Sequence, residues 1–375
     1  MTYDVFLYGP LCLPVMMQIV TGELPSSVPA LLEGYRPAPR RKDDWPVLVQ
    51  DPGAETRGLL LEDLDEEVFE KLAHYADAHG LIPARAMVER DGKLVKASLF
   101  KPETPYPSVA PGRWNMSSWA LSRGEEACHA AHEIMKLEGR YSGADLRFRL
   151  DQIRARASSR VAAERFPAVH AFARGPERPW VQEEDQFDDH AGYFFTRTFD
   201  LKHQTFAGKP SPLIRREVFL APDAAILLPY DPVRDRVLLV EQFRMGPYAR
   251  GEGLPWMLEP VAGRVDPGET PEACARREAK EEAGLALSEV FHISSFYPSP
   301  GALSEFHHCY LGLCELPDRG KGSGGLDEEA EDIRTHVLSF ERAMELVSSG
   351  EARNAPLILS LLWLASKRSE LRGAA

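Results

Sequence analysis

Three glutamates near residue 280 could hold a metal ion: Glu278, Glu281 and Glu282, in the run GRVDPGETPEACARREAKEEAGL that spans 263–285. Thr270-Pro271 reads as a helix start, a hydroxyl cap followed by proline at the first helical position. Ala273, Ala275, Ala279 and Ala283 favour the helix, and Gly284 can end it in a left-handed cap. Four positions apart on that helix, Glu278 and Glu282 share a face, with Glu281 beside them. Like charges at such spacing destabilise a helix by about 0.2–0.5 kcal/mol per pair. A divalent cation removes that penalty, and carboxylate oxygens are the hard ligands Mg2+ or Mn2+ takes. Taken alone, the three acids would better suit a solvated face paired with Arg276 and Arg277.

The surrounding residues favour the metal. Gly263, Glu269 and the block Arg277-Glu278-Ala279-Lys280-Glu281-Glu282-Ala283-Gly284-Leu285 follow one another at fixed spacing. This pattern resembles the box of the Nudix hydrolases, which implies cleavage of a nucleoside diphosphate linked to another group. In the flanks, LLPYDPVRDRVLLVEQFR, EPVAGRVDPGE, FYPSPGALSE and EEAEDIRTHVLSFERA resemble the bacterial ADP-ribose pyrophosphatases of that family. Pro300 falls where that subfamily carries a marker proline.

The resemblance implies a site. The carbonyl of Ala262 and the carboxylates of Glu278, Glu281 and Glu282 would hold the metal. Glu331 would be base or extra metal ligand, with Glu329 its neighbour. Gly263, Glu269, Arg277 and Gly284 would be structural, Arg277 pairing with Glu269. Arg244 would grip the diphosphate, a task suited to a guanidinium fork. Glu305 would face the substrate, although Phe306 stands where the family has arginine. Tyr193 and Phe194, with Phe195, are candidates to stack on adenine, or else core residues. In the subfamily such aromatics come from a partner subunit, which implies a homodimer. The implied reaction is Mg2+-dependent hydrolysis of ADP-ribose to AMP and ribose 5-phosphate, with another nucleoside diphosphate sugar or a dinucleotide as the alternative.

A chain of 375 residues is long for one domain, and its 44% hydrophobic content is that of a globular protein. The net charge of −13 argues against a nucleic-acid partner. Five cysteines without CxxC spacing suit a reducing cytoplasm. Asp4 sits where a signal peptide would be basic, and the apolar run 357–365 is too short to span a bilayer. We expect an α+β protein in three segments: a small barrel domain at 1–112, a helical connector at 113–175 and an α/β/α sandwich at 176–375. In the first, strands are expected at 5–8, 47–50, 58–61, 86–89 and 95–100, with Asp91-Gly92 turning a hairpin and a helix over 65–79. The connector should hold helices over 123–138 and across Leu146, Leu150, Ile153 and Ala157. In the third, strands at 193–201, 213–220, 224–230, 236–242, 290–297 and 306–314 frame the box helix, with closing helices over 339–348 and 357–368.

Phe6-Leu7-Tyr8-Gly9-Pro10-Leu11 resembles the YGxL loop of the gamma-glutamylcyclotransferase-like (AIG2-like) family. That family binds a glutamyl group and uses a glutamate as acid/base. Two departures oppose catalysis: Pro10 offers no N–H to an anion, and Ala76 occupies the place of the glutamate, leaving Asp77 as the nearest acid. A scaffold that senses a glutamyl metabolite is the reading from a different class. The two-domain combination also resembles proteins associated with tellurite resistance.

Overall fold

The computed structural model describes residues 2–41, 43–103, 108–165, 180–318 and 332–373. The chain divides into two compact units, Met1–Pro167 and Ala168–Ala375. Both this division and the expected boundary at 176 fall within 166–179, outside the described residues.

In the first unit, β1 (Tyr3–Leu7), β2 (Ser27–Pro39), β3 (Pro46–Leu64), β4 (Leu81–Arg90) and β5 (Lys93–Pro102) close a barrel in the order β1-β3-β2-β4-β5. Val5 meets Ser98 in the parallel β1–β5 contact that completes it. Inward residues such as Phe6, Leu32, Leu48, Leu60, Val88 and Leu99 fill the interior. Asp91 and Gly92 turn the β4–β5 hairpin with φ of 50° and 75°, as a primed turn requires. Helix α1 (Pro14–Thr21) precedes β2, and Asp65 caps α2 (Glu66–Ala78) by accepting from the Val68 N–H at 2.9 Å.

Three further helices, α3 (Met116–Lys136), α4 (Gly143–Arg147) and α5 (Leu150–Arg165), belong to this unit. The 146–157 spacing predicts one helix; the chain instead breaks at Phe148, so Leu146 and Leu150 lie on separate helices. Arg154 of α5 is buried and meets Asp43 at 3.2 Å and Glu126 of α3 at 3.3 Å. Charges this deep require such partners.

The second unit opens with an antiparallel sheet of β6 (Val181–Ala191), β7 (Phe195–His203) and β8 (Ile214–Leu220). Strand β7 starts two residues later than expected, which leaves Tyr193 and Phe194 in the β6–β7 turn. A seven-stranded sheet follows, built from β9 (Ala224–Asp231), β10 (Arg236–Phe243), β11 (Trp256–Glu259), β12 (Val261–Arg264), β13 (Val290–Phe296), β14 (His307–Leu313) and β15 (Arg334–Ser339). Its order is β11-β10-β9-β14-β13, with β12 on β9 and β15 on β10. The helices are α6 (Met245–Arg250), α7 (Pro271–Ala283), α8 (Phe340–Ser349) and α9 (Ala355–Gly373).

Adjacent strand residues point to opposite faces, and here both faces are apolar. Leu227, Leu238 and Val240 pack with Cys274, Ala275 and Ala279 of α7. Leu228, Val237 and Leu239 pack with Phe340 of α8 and with Leu357, Leu361 and Leu364 of α9. The result is an α/β/α sandwich, with each fully buried leucine contributing about 2 kcal/mol. Among the described residues no helix is long and apolar enough to cross a membrane.

Candidate active site

Helix α7 carries the acidic residues, and its ends are built as the sequence dictates. Thr270 Oγ1 accepts from the Ala273 N–H at 3.2 Å, and Gly284 ends the helix at φ 68°. Small residues on its inner side let it lie close to the sheet. At Gly263 on β12 the approach is extreme: a Cβ there would lie 1.8 Å from Glu278 Oε1. Only glycine lets this carboxylate rest against the strand backbone beside Ala262.

Arg277 organises the loop before the helix. Its Nε and Nη2 donate to the two oxygens of Glu269 at 3.1 and 3.0 Å, and Nη2 also reaches the Arg264 carbonyl at 3.2 Å. Nη1 donates to Glu278 at 2.6 Å and Glu281 at 3.0 Å. Burial lowers the pKa of Arg277, but its bonds to Glu269 and the nearby Glu278 charge outweigh this and hold it above the usual arginine range. Glu282 is buried on α7 and does not line the cleft into which Glu278 and Glu281 project.

Among the described residues no three His, Cys, Asp or Glu side chains converge as a ready ligand set. The positive charge between Glu278 and Glu281 is the Arg277 guanidinium. The donors still fit a hard divalent cation in kind, being all oxygen, with one carboxylate held against β12 by the Gly263 cradle.

A cleft of about 470 Å3 opens over this surface, within the size range of small-molecule sites. It brings together Tyr193, Arg244, Ala262, Gly263, Arg277, Glu278, Glu281 and Glu305. Arg264 lies over the Tyr193 ring at 5.6 Å. Phe194 stays outside, packed 5.0 Å from Phe219. Glu305 Oε2 lies 3.3 Å from His307 Nε2, while Phe306 leaves the cleft wall and packs on Tyr297 and His308. Glu331 and Glu329 lie outside the described residues.

Glu259, Arg264, His307 and Asn354 also line the cleft, and the sequence reading did not select them. Two carried a usable signal. Arg264 follows the box glycine directly, and Asn354 precedes an apolar helical run as a cap should.

The first unit holds a separate cavity of about 20 Å3, roughly one water, lined by Tyr8, Pro10, Leu11, Trp45, Ala76 and His79 among others. Gly9 needs its φ of 66°, and a Cβ there would lie 2.8 Å from Pro46. The Tyr8 hydroxyl donates to the Phe100 carbonyl at 3.0 Å, and His79 stacks on Trp45 at 3.8 Å. Asp77 does not line this cavity; it pairs with Arg147 at 2.6 Å.

Residues 220–361 match the NUDIX domain, and residues 5–116 match the gamma-glutamyl cyclotransferase, AIG2-like, domain. Over 173 residues the chain is 43% identical to the ADP-ribose pyrophosphatase of Escherichia coli (strain K12), spanning 46% of this chain and 82% of that protein. The chain belongs to the Nudix family. Over 150 residues it is 37% identical to the GDP-mannose pyrophosphatase of Salmonella choleraesuis (strain SC-B67), covering 40% of this chain and 77% of that one. A crystal structure of an ADP compounds hydrolase aligns at a TM-score of 0.41 and 18% identity, over 53% of this chain and 100% of that one. The protein is thus a Nudix diphosphatase with an AIG2-like N-terminal unit, and divalent metal ions serve the chemistry of its family.

Proposed function

We propose that this Nudix enzyme hydrolyses the diphosphate of ADP-ribose, with Mg2+, to AMP and ribose 5-phosphate. The observation that carries the reading is the cleft itself, with the Arg244 guanidinium and the Glu278–Glu281 carboxylates on its walls. An anionic diphosphate needs positive charge, and Arg244 together with a divalent ion taken up by the acidic wall would supply it. The similarity to ADP-ribose pyrophosphatase supports the choice of substrate.

Residue roles follow from chemistry and position. Arg244 binds a diphosphate oxygen, and a fork donor holds it better than a point charge. The Ala262 carbonyl and Glu278 and Glu281 would hold Mg2+ from the cleft wall, and Glu282, buried on the same helix, would join them by turning its carboxylate toward the cleft. When bound, the ion supplies positive charge to the diphosphate and acidifies the attacking water. A glutamate, Glu331 of the EEAEDIR motif or a box carboxylate, takes that water's proton. Water oxygen bonds to one phosphorus, and the bond from that phosphorus to the bridging oxygen breaks. Arg277 and Glu269 hold the loop that presents Gly263. Tyr193 offers the adenine an aromatic face, and we include a homodimer in the proposal, to be checked by light scattering.

The test is product analysis with ADP-ribose, GDP-mannose, NADH and diadenosine polyphosphates, with wild type beside Glu282→Gln. AMP and ribose 5-phosphate from ADP-ribose, lost in the variant, support the proposal. Preference for GDP-mannose would keep the chemistry and replace the substrate. Full turnover by Glu282→Gln would remove that residue from the site.

A further inference from the structure

Behind Arg244 stand two residues with no assigned role. Glu259, at the end of β11, is buried, yet its carboxylate lines a cleft meant for an anion. A negative charge there weakens the field on a diphosphate, so it needs a reason other than attraction.

The hydrogen bonds supply one. Arg244 Nε donates to Glu259 Oε2 at 2.7 Å, and Nη2 lies in ion-pair contact with the same oxygen at 2.7 Å. This fixes the plane of the guanidinium and leaves Nη1 without a bond to any described residue. The other oxygen, Oε1, accepts from Asn354 Nδ2 at 2.9 Å. Asn354 in turn accepts from the Leu357 N–H at 3.0 Å through Oδ1, capping α9. That helix buries Leu357, Leu361 and Leu364 against the sheet. A cation that is 41% exposed is thereby tied, through one carboxylate and one amide, to the core of the sandwich.

We propose that Glu259 and Asn354 are positioning residues: the chain Arg244–Glu259–Asn354 orients the guanidinium that receives the substrate diphosphate. The inference rests on the proposed role of Arg244 and deepens it. The chemistry asks for asparagine at 354, since one side chain must donate to a carboxylate and accept from a helix N–H at once. Aspartate keeps the cap but cannot donate, and it sets a second negative charge against Glu259. Misorienting a substrate-gripping group by a fraction of an ångström costs rate out of proportion to any change in stability.

The experiment compares wild type, Asn354→Asp, Glu259→Gln and the double variant, measuring kcat and KM on the nucleoside diphosphate sugar that wild type hydrolyses. In the double variant the glutamine oxygen at position 259 accepts from Arg244, and the glutamine amide donates to the carboxylate at position 354. This restores the chain with its charges exchanged. We expect Asn354→Asp to lower kcat/KM by about tenfold or more, chiefly through KM. Its thermal midpoint should stay within about 2 °C of wild type, since the cap is kept. The double variant should recover to within about threefold of wild type. A merely structural Asn354 would give no such rescue. Wild-type kcat/KM in Asn354→Asp, or a double variant as impaired as the worse single one, overturns the inference and leaves the proposed function standing. If Asn354→Asp does not fold, Glu259→Gln and the double variant decide by the same recovery. Absence of turnover by wild type on every such compound overturns the proposed function and this inference together.

Discussion

Arg277 spans Glu269 and Glu278, donating to the first at 3.0 Å through Nη2 and to the second at 2.6 Å through Nη1. One side chain thus ties the box loop to the acidic helix. Arg277→Ala leaves both carboxylates without that partner in a half-buried setting. The loss should be about 2–3 kcal/mol, less than for full burial because the side chain is 30% exposed. For a unit of this size that lowers the melting temperature by roughly 5–10 °C. Arg277→Lys keeps the charge but loses the fork and should fall between. Differential scanning calorimetry reads both, and an unchanged midpoint in Arg277→Ala would sink this account.

Gly263 and Glu278 give a sharper test of the metal face. Gly263→Ala puts a methyl group 1.8 Å from Glu278 Oε1, so the carboxylate must leave its place on β12. No positive φ is involved at 263, so the effect is local. We expect apparent metal affinity and kcat/KM to fall by about a hundredfold with the fold intact. Gly284→Ala is the control: its φ of 68° makes it cost about 1 kcal/mol of helix capping, with metal affinity unchanged. Activity titrated against Mg2+ separates the two. Equal metal affinity in Gly263→Ala and wild type would refute the role given to the cradle.

The sandwich and the box helix were legible because their signals are local. Leu227 and Leu228 belong to a short, continuous apolar run, as a strand buried on both faces requires, while Thr270, Pro271 and Gly284 mark helix ends. Strand β2 was hidden by Pro29, Pro37 and Pro39, which read as loop, yet it pairs along β3 from Ser27 opposite Leu61 to Pro39 opposite Pro46. Strand β6 was hidden by its acidic run, which has no apolar alternation. In the cleft, box residues were readable from spacing, but Glu259 and Asn354 are 95 positions apart and meet only because α9 returns to β11. No periodicity reports such a contact. Phe306 illustrates the converse: it marks a departure from the family pattern, but it lies just before β14 and packs on Tyr297 and His308, while its neighbours Glu305 and His307 line the cleft.

The N-terminal cavity yields a prediction about activity. A cyclotransferase needs an acid/base beside its substrate. Ala76 lines the cavity where that acid would stand, and Asp77 is engaged by Arg147 outside it. Incubation with gamma-glutamyl amino acids and glutathione should release no 5-oxoproline above the rate without protein, by mass spectrometry. Release that disappears in Asp77→Asn would show that the Arg147 pair opens and would overturn this reading.

His79 should give the first unit an acid-sensitive stability. Its imidazole is buried, neither ring nitrogen has a hydrogen-bond partner among the described residues, and it stacks on Trp45. Burial first, then the charges of Arg40 and Arg154, push its pKa well below 6.5. The unfolded chain therefore takes up this proton before the folded one does. Stability from this source is complete above about pH 6.5 and declines as pH falls below that value toward the folded pKa, with a slope approaching about 1.4 kcal/mol per pH unit. His79→Phe keeps a ring for Trp45 and the backbone carbonyl for Arg40, which donates to it at 2.9 Å, but removes the titration. Denaturant unfolding followed by tryptophan fluorescence between pH 7.5 and about 5 should show a shallower acid decline in the variant. Since every other titrating group is common to the two proteins, the difference in slope isolates His79, and equal slopes would mean that the folded imidazole takes up its proton as readily as the unfolded one.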